Sequence, residues 1–173
     1  MTSPVIGEGT EEAANRLRAG VLGSIDGLTS VGGVIVGLAA TTATTFTVAY
    51  VGLLALFTGA VSMGSGEYAS VAEARDVQAA SGETDLPSPW GAAITSGLSF
   101  ACGAAAPTFA GIAPQGVRVA LVVVAVLAGL VVTGVVSARA GRLPAPLVRR
   151  AVARTLIGGC VGMAAGSALA AMS

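Results

Sequence analysis

The chain has 173 residues, of which 54% are hydrophobic and only 10% are charged, and its formal net charge is zero. An ordinary soluble domain carries about 25% charged residues, so this composition excludes a typical soluble protein. The balanced charge also argues against a basic nucleic-acid-binding surface, and no nucleic-acid partner is expected. All nine basic residues are arginines and histidine is absent, so metal or proton chemistry must use carboxylates, sulfur or carbonyl oxygens.

Five apolar segments follow one another along the chain, at residues 19–40, 46–67, 90–111, 117–138 and 151–172. Each has about 22 residues, or about 33 Å of helix, which is enough to cross a hydrocarbon core of roughly 30 Å. We therefore predict an all-α integral membrane protein with five transmembrane helices per protomer. Residues 1–18 are predicted to be a cytosolic N-terminal segment, and residues 19–173 a single transmembrane domain.

The arginines lie mostly on one side of the predicted spans. Arg16 and Arg18 precede the first span, Arg75 lies between the second and third, and four more arginines lie between the fourth and fifth. Because cytosolic loops carry an excess of basic residues, the N-terminus is predicted to be cytosolic and the C-terminus to be outside. We expect the plasma membrane of a bacterium, because the chain is short and rich in alanine and arginine.

The longest connection, residues 68–89, is predicted to lie in the cytosol. Its first half has good helix formers and is expected to extend the second span until Ser81 and Gly82 end the helix. Trp90 is placed as an interfacial anchor. The connection is acidic, and it is either a solvated helix and turn or a vestibule that concentrates cations. Its acidic residues are Glu73, Asp76, Glu83 and Asp85.

Glycine recurs at every fourth position along two of the spans, which indicates faces where helix backbones approach closely. Such faces pack within one chain or between subunits, and packing within one chain is the favoured interpretation. The two cysteines lie in apolar runs and are expected to be small buried core residues. The glycines are Gly23 and Gly27 in the first span and Gly158, Gly162 and Gly166 in the fifth, and the cysteines are Cys102 and Cys160.

Asp26 is the ionisable residue that lies deepest in an apolar segment, some eight residues inside the first span. A carboxylate at that depth costs about 2.5 to 3.5 kcal/mol on insertion scales, so Asp26 is expected to face the bundle interior or a wet cavity. Ser30 follows one turn later on the same helix face. Asp26 is therefore either a cation or proton site or a carboxylate bonded to a neighbouring helix.

Met63 and Glu67 are four residues apart in the second span and therefore share one helix face. A thioether together with a carboxylate suits Fe(II) or Mn(II) better than calcium or magnesium. Because the first two spans run in opposite directions, Asp26 and Met63 are expected at similar depth in the cytosolic half of the bilayer. The simpler alternatives are that Met63 fills the core and that Glu67 is an interfacial charge.

Three stretches of the chain resemble the vacuolar iron transporter family. The first is residues 21–30 with its Asp-Gly-Leu sequence, the second is residues 59–71, and the third is Pro89-Trp90 with residues 99–104. The second stretch is similar above all to the nodulin-like and bacterial branches of that family. Better-studied members insert a Glu-rich cytosolic metal-binding domain between spans two and three, for which residues 68–89 are too short. The chain therefore resembles a short form that lacks this domain.

The resemblance implies a homodimer with an ion path at the dimer interface, lined by the first two helices of each protomer. Asp26 and Met63 match the family's pathway acid and sulfur ligand, and Glu67 is assigned to the cytosolic mouth. Ser30, Glu73 and Asp76 are secondary candidates.

The activity implied by the resemblance is export of Fe(II) from the cytosol in exchange for protons, with Mn(II) as a second candidate. The metal is then a transported substrate, no cofactor is expected, and the chain is not expected to be an enzyme. A passive cation channel and a non-transporting membrane scaffold stay open as alternatives.

Overall fold

The computed structural model describes residues 10–39, 41 and 43–170, and within these ranges the regular secondary structure is entirely α-helical. The five helices confirm the predicted all-α fold. They are α1 (Thr10–Ala39), α2 (Thr45–Ala80), α3 (Pro89–Ala110), α4 (Gln115–Ala140) and α5 (Ala145–Ala170). Because α1 begins at Thr10, the second half of the predicted N-terminal segment is helical and continuous with the first span.

By length and composition, α1, α2, α3 and α4 can each cross a membrane, which makes the chain an integral membrane protein. The described part of α5 is not among these candidate spans, and Arg149, Arg150 and Arg154 lie in its first half. The fifth span and the orientation of the two termini therefore stay predictions, as does the division into one segment and one domain.

Helix α1 is the centre of the bundle and contacts each of the other four helices. It runs parallel to α3, because Gly23 lies against Ser96 and Gly27 lies against Phe100. Helix α2 is antiparallel to α3, because Gly64 lies against Ala93 and Gly52 against Thr108, and it is therefore antiparallel to α1 as well. The main hydrophobic core forms where α1 meets its neighbours. Its buried residues are Leu28, Val31, Ile35, Val48, Phe100, Ala104, Val122, Val126 and Leu130.

Helices α1 and α3 approach one another so closely that their backbones touch. A Cβ atom at Gly27 would meet the carbonyl oxygen of Phe100, and one at Gly23 would meet that of Ser96. The approach is reciprocal, because a Cβ atom at Gly103 of α3 would meet the carbonyl oxygen of Ser24. The glycine stripe of the first span therefore packs within one chain, as the favoured interpretation predicted.

The fifth helix does not repeat this pattern. Gly158 has nothing within 4 Å of the position of a Cβ atom, Gly162 lies against α1, and the surroundings of Gly166 fall outside the described residues.

Cys160 and Cys102 are free thiols with exposed side chains, so the expectation that both are buried was wrong. In a membrane protein an apolar sequence does not determine which side chains are buried. An apolar side chain that faces lipid is solvated about as favourably as one in the protein core.

The predicted cytosolic end of the bundle is the end at which α2 stops and α3 starts. Helix α2 continues to Ala80 and stops at Ser81 and Gly82, where Gly82 has a φ of 85°, as the sequence predicted. The Tyr68 and Trp90 rings lie 4.8 Å apart, and Trp90 is 67% exposed, which fits its predicted role as an interfacial anchor. Only residues 81–88 connect the two helices, which agrees with the short form.

The opposite end is held together by Arg118, which is only 1% exposed. Its Nε donates a hydrogen bond to the carbonyl oxygen of Ala113 at 3.0 Å, and its Nη2 donates to the hydroxyl of Thr45 at 2.7 Å. One guanidinium on α4 thereby joins the segment after α3 to the start of α2. This contact ties the start of α2 to the segment that follows α3.

Candidate metal-ion pathway

A groove of about 460 Å³ lies between α1 and α2. Helix α1 contributes Asp26 and Ser30, helix α2 contributes Met63 and Glu67, and Phe100 of α3 also lines the groove. The chain thus brings together four of the six predicted site residues in one place. It does so because residues four apart on each helix share a face, and the two faces are turned towards each other.

The remaining two candidates, Glu73 and Asp76, do not line this groove. Both are exposed on the part of α2 that continues beyond it. Among the described residues there is no group of three or more acidic, cysteine or histidine side chains that could hold a metal ion. Glu67, Glu73 and Asp76 therefore do not form a chelate within the described part of the chain.

Asp26 is half-buried, and its carboxylate makes no hydrogen bond or ion pair with any residue in the described ranges. The hydroxyl of Ser30 donates to the backbone carbonyl oxygen of Asp26 at 2.6 Å, so Ser30 does not bond the carboxylate. No neighbouring helix takes up the carboxylate oxygens within the described part of the chain. They are available to a ligand that enters the groove.

Helix α2 adds two hydroxyl residues that the sequence analysis missed, Thr58 and Ser62. Their spacing of four residues, ending one position before Met63, is the signal that could have identified them. Gly59 lies between them, and a Cβ atom there would meet the Phe100 ring. Glycine at this position therefore lets α3 bring an aromatic ring up to the groove.

Glu67 is 7% exposed, and its Oε1 accepts a hydrogen bond from Nη2 of Arg18 at 2.6 Å. Arg18 belongs to the first turns of α1 and is 57% exposed. The sequence analysis used Arg18 only to orient the chain. No local pattern could have paired these residues, because 49 positions separate them. One of the two carboxylates that line the groove is thus held by an arginine.

These features define the class of the protein. It is a helical membrane protein in which two membrane-crossing helices enclose a groove with two carboxylates, a thioether and several hydroxyls. Isolated ionisable residues inside apolar helices are costly and mark ion or proton pathways. The arrangement is typical of a cation transport protein.

Comparison with known proteins identifies the family. The chain matches the VIT family over residues 17–86 and 78–171. It is 42% identical over 167 residues to vacuolar iron transporter homolog 1 of Oryza sativa subsp. japonica, and the aligned region covers 87% of this chain and 71% of that protein. It is 38% identical over 162 residues to vacuolar iron transporter homolog 4 of Arabidopsis thaliana, and the aligned region covers 87% of this chain and 80% of that protein. The chain belongs to the VIT family, which confirms the resemblance seen in its sequence.

Membership of a transporter family supports the expectation that the chain is not an enzyme. The relatives are plant proteins whose names refer to the vacuole. The expected location in the plasma membrane of a bacterium therefore stays a prediction.

Proposed function

We propose that the protein exports divalent transition-metal cations from the cytosol in exchange for protons, with Fe(II) as the main substrate and Mn(II) as a second. The observation that carries the proposal is that Asp26, Met63 and Glu67 line one groove between two membrane-crossing helices. Membership of the VIT family and the name of its plant relatives support iron as the cargo.

The groove offers a mixed set of ligands. The carboxylates of Asp26 and Glu67 are hard oxygen donors, and the sulfur of Met63 is a soft donor that favours transition metals over calcium and magnesium. The hydroxyls of Thr58 and Ser62 are neutral oxygen donors of the kind that can replace waters around an ion. Since the described lining of the groove contains two carboxylates, the cation keeps part of its hydration shell or finds further ligands on a second protomer.

Proton exchange follows from the isolation of Asp26. A carboxylate must be deprotonated to bind a metal ion, so metal and proton compete for the same oxygens. An unpaired charge is costly inside a membrane, which favours the states in which Asp26 holds either a cation or a proton. Release of the metal on one side then leaves Asp26 ready to take a proton from that side.

We also propose that a second copy of the chain closes the groove, so that the pathway lies at a homodimer interface. Exposed apolar side chains, including Val34 and Leu54, lie on the same two helices as the groove residues. Lipid cannot solvate the Asp26 carboxylate, whereas a facing groove can share water and cations with it.

The transport function is tested by reconstituting the protein in liposomes that contain a pH dye. When Fe(II) or Mn(II) is added on the predicted cytosolic face, metal should accumulate inside and the interior should become more alkaline. Metal flux without proton movement would favour a passive cation channel. No flux of either metal would contradict transport and favour a membrane scaffold.

Met63→Leu is expected to lower the ratio of Fe(II) to Mn(II) flux by about threefold, because it removes the softer ligand that iron uses more than manganese does. Leucine has nearly the same volume, so packing against the core should change little. Both fluxes are measured in the same liposomes, so the ratio does not depend on the amount of protein. An unchanged ratio would show that Met63 only fills space.

A further inference from the structure

The ion pair between Arg18 and Glu67 stands between two cavities. Glu67 lines the pathway groove, whereas Arg18 lines a second cavity of about 210 Å³ at the predicted cytosolic end of the bundle. Nη2 of Arg18 lies 2.6 Å from Oε1 of Glu67. One partner of the ion pair thus lines each cavity.

The two partners differ in their freedom to move. Glu67 is buried on α2, and Arg18 is its only charged partner among the residues that the structure describes. Arg18 has a long side chain that is more than half exposed, and its second contact is a 3.3 Å hydrogen bond to the Oδ1 of Asn15. Moving Arg18 outwards returns a charge to water at little cost, but it leaves the buried carboxylate in need of another cation.

Two carboxylates line the second cavity. Glu12 and Asp85 line it together with Arg18. Glu12 is already engaged, because it accepts from Nε of Arg16 at 2.6 Å and from the backbone N–H of Ser88 at 3.0 Å. Glu12 thus serves to hold α1 against the start of α3. The carboxylate that Arg18 holds, Glu67, is already part of the groove lining.

We propose that Arg18 is the cytosolic gate of the pathway, an inference that rests on the proposed transport function. Arg18 neutralises Glu67 while the groove is empty, and an entering divalent cation displaces it. A guanidinium does not lose its proton in proteins, so Arg18 can leave Glu67 only by moving outwards. A cation that binds Glu67 only weakly does not displace Arg18, and the gate thereby contributes to the choice of substrate.

Arg18→Gln is the direct test, with Mn(II) uptake into liposomes as the readout. Removing the competing charge should lower the KM for Mn(II) on the predicted cytosolic face by about fivefold, which corresponds to the strength of a half-exposed ion pair. Arg18→Lys should stay near the wild-type KM, because it keeps the charge. Arg139→Gln is the matched control, since it removes the same charge from the same predicted end of the bundle, at an exposed position in the last turn of α4, and leaves Glu67 paired.

The gate acts through one carboxylate, so Glu67→Gln should abolish the effect of Arg18→Gln in a double variant. An unchanged KM in Arg18→Gln would overturn the proposal. So would an equal shift in Arg139→Gln, which would reveal a general effect of surface charge, or an additive effect in the double variant.

A second measurement does not depend on transport. Phenylglyoxal modifies free arginine side chains, and mass spectrometry reports the modification of each arginine in purified protein. Mn(II) should increase the modification of Arg18 but not that of Arg16, and Glu67→Gln should increase it without metal. If Mn(II) leaves Arg18 unchanged, the gate is rejected even where flux is measured. If Mn(II) increases the modification of Arg18 but the wild-type protein shows no metal flux into liposomes, only the proposed transport function is rejected.

Discussion

Asp26→Asn is expected to lower Fe(II) and Mn(II) flux by about 100-fold while the protein still folds and assembles. The substitution keeps the shape of the side chain but removes the charge that is proposed to bind the cation and accept the proton, and interactions with a charged group are worth about this factor. The Asp26 carboxylate makes no hydrogen bond or ion pair with a neighbouring helix within the described ranges, so an isosteric amide should not disturb packing. Flux into liposomes measures the effect, and size-exclusion chromatography reports folding and assembly.

The matched control is Glu83→Gln, which makes the same change of charge at an exposed position in the connection between α2 and α3. Its flux should equal that of the wild type. Retention of flux by Asp26→Asn would remove Asp26 from the pathway. Equal losses in the two variants would indicate that the total charge of the protein matters, rather than the groove.

The features that the sequence predicted correctly are local ones. The long apolar blocks predicted the helices, and Ser81 with Gly82 predicted the end of α2, because helix length and termination depend on neighbouring residues. The spacing of Met63 and Glu67 predicted their shared face, and a helix brings residues four apart together in any fold. Most of the groove could therefore be assembled from periodicity, the antiparallel course of the first two helices and a family resemblance.

The features that the sequence did not predict depend on how the helices lie against one another. Glu67 meets Arg18 from 49 positions away, and Glu12 meets Ser88 from 76 positions away. Such contacts follow from the register between helices, which small differences in packing decide. The same holds for Cys102, because its exposure depends on which face of α3 is covered by a neighbour.

The register that aligns the groove rests on the contact between α1 and α3, and Gly27→Ala should weaken it. The added Cβ atom would meet the carbonyl oxygen of Phe100 and lie 2.9 Å from the backbone nitrogen of Ala104. Neither atom is part of a flexible side chain, so the helices must move apart. Overpacking of this kind costs about 1 to 3 kcal/mol of the free energy of unfolding. The midpoint of thermal unfolding in detergent should fall by about 3 to 10 °C.

Gly158→Ala is the control, because it makes the same substitution on α5 where no atom lies within 4 Å of the added group. Alanine favours helix over glycine by about 1 kcal/mol, so the midpoint of this variant should stay equal or rise. An unchanged midpoint in Gly27→Ala would mean that α1 and α3 can separate without loss of stability.

Asp26 directly precedes Gly27, so the contact that keeps α1 on α3 also decides how far the Asp26 carboxylate reaches towards α2. A loss of stability in Gly27→Ala should therefore come with reduced metal flux per folded protein, whereas Gly158→Ala should transport like the wild type.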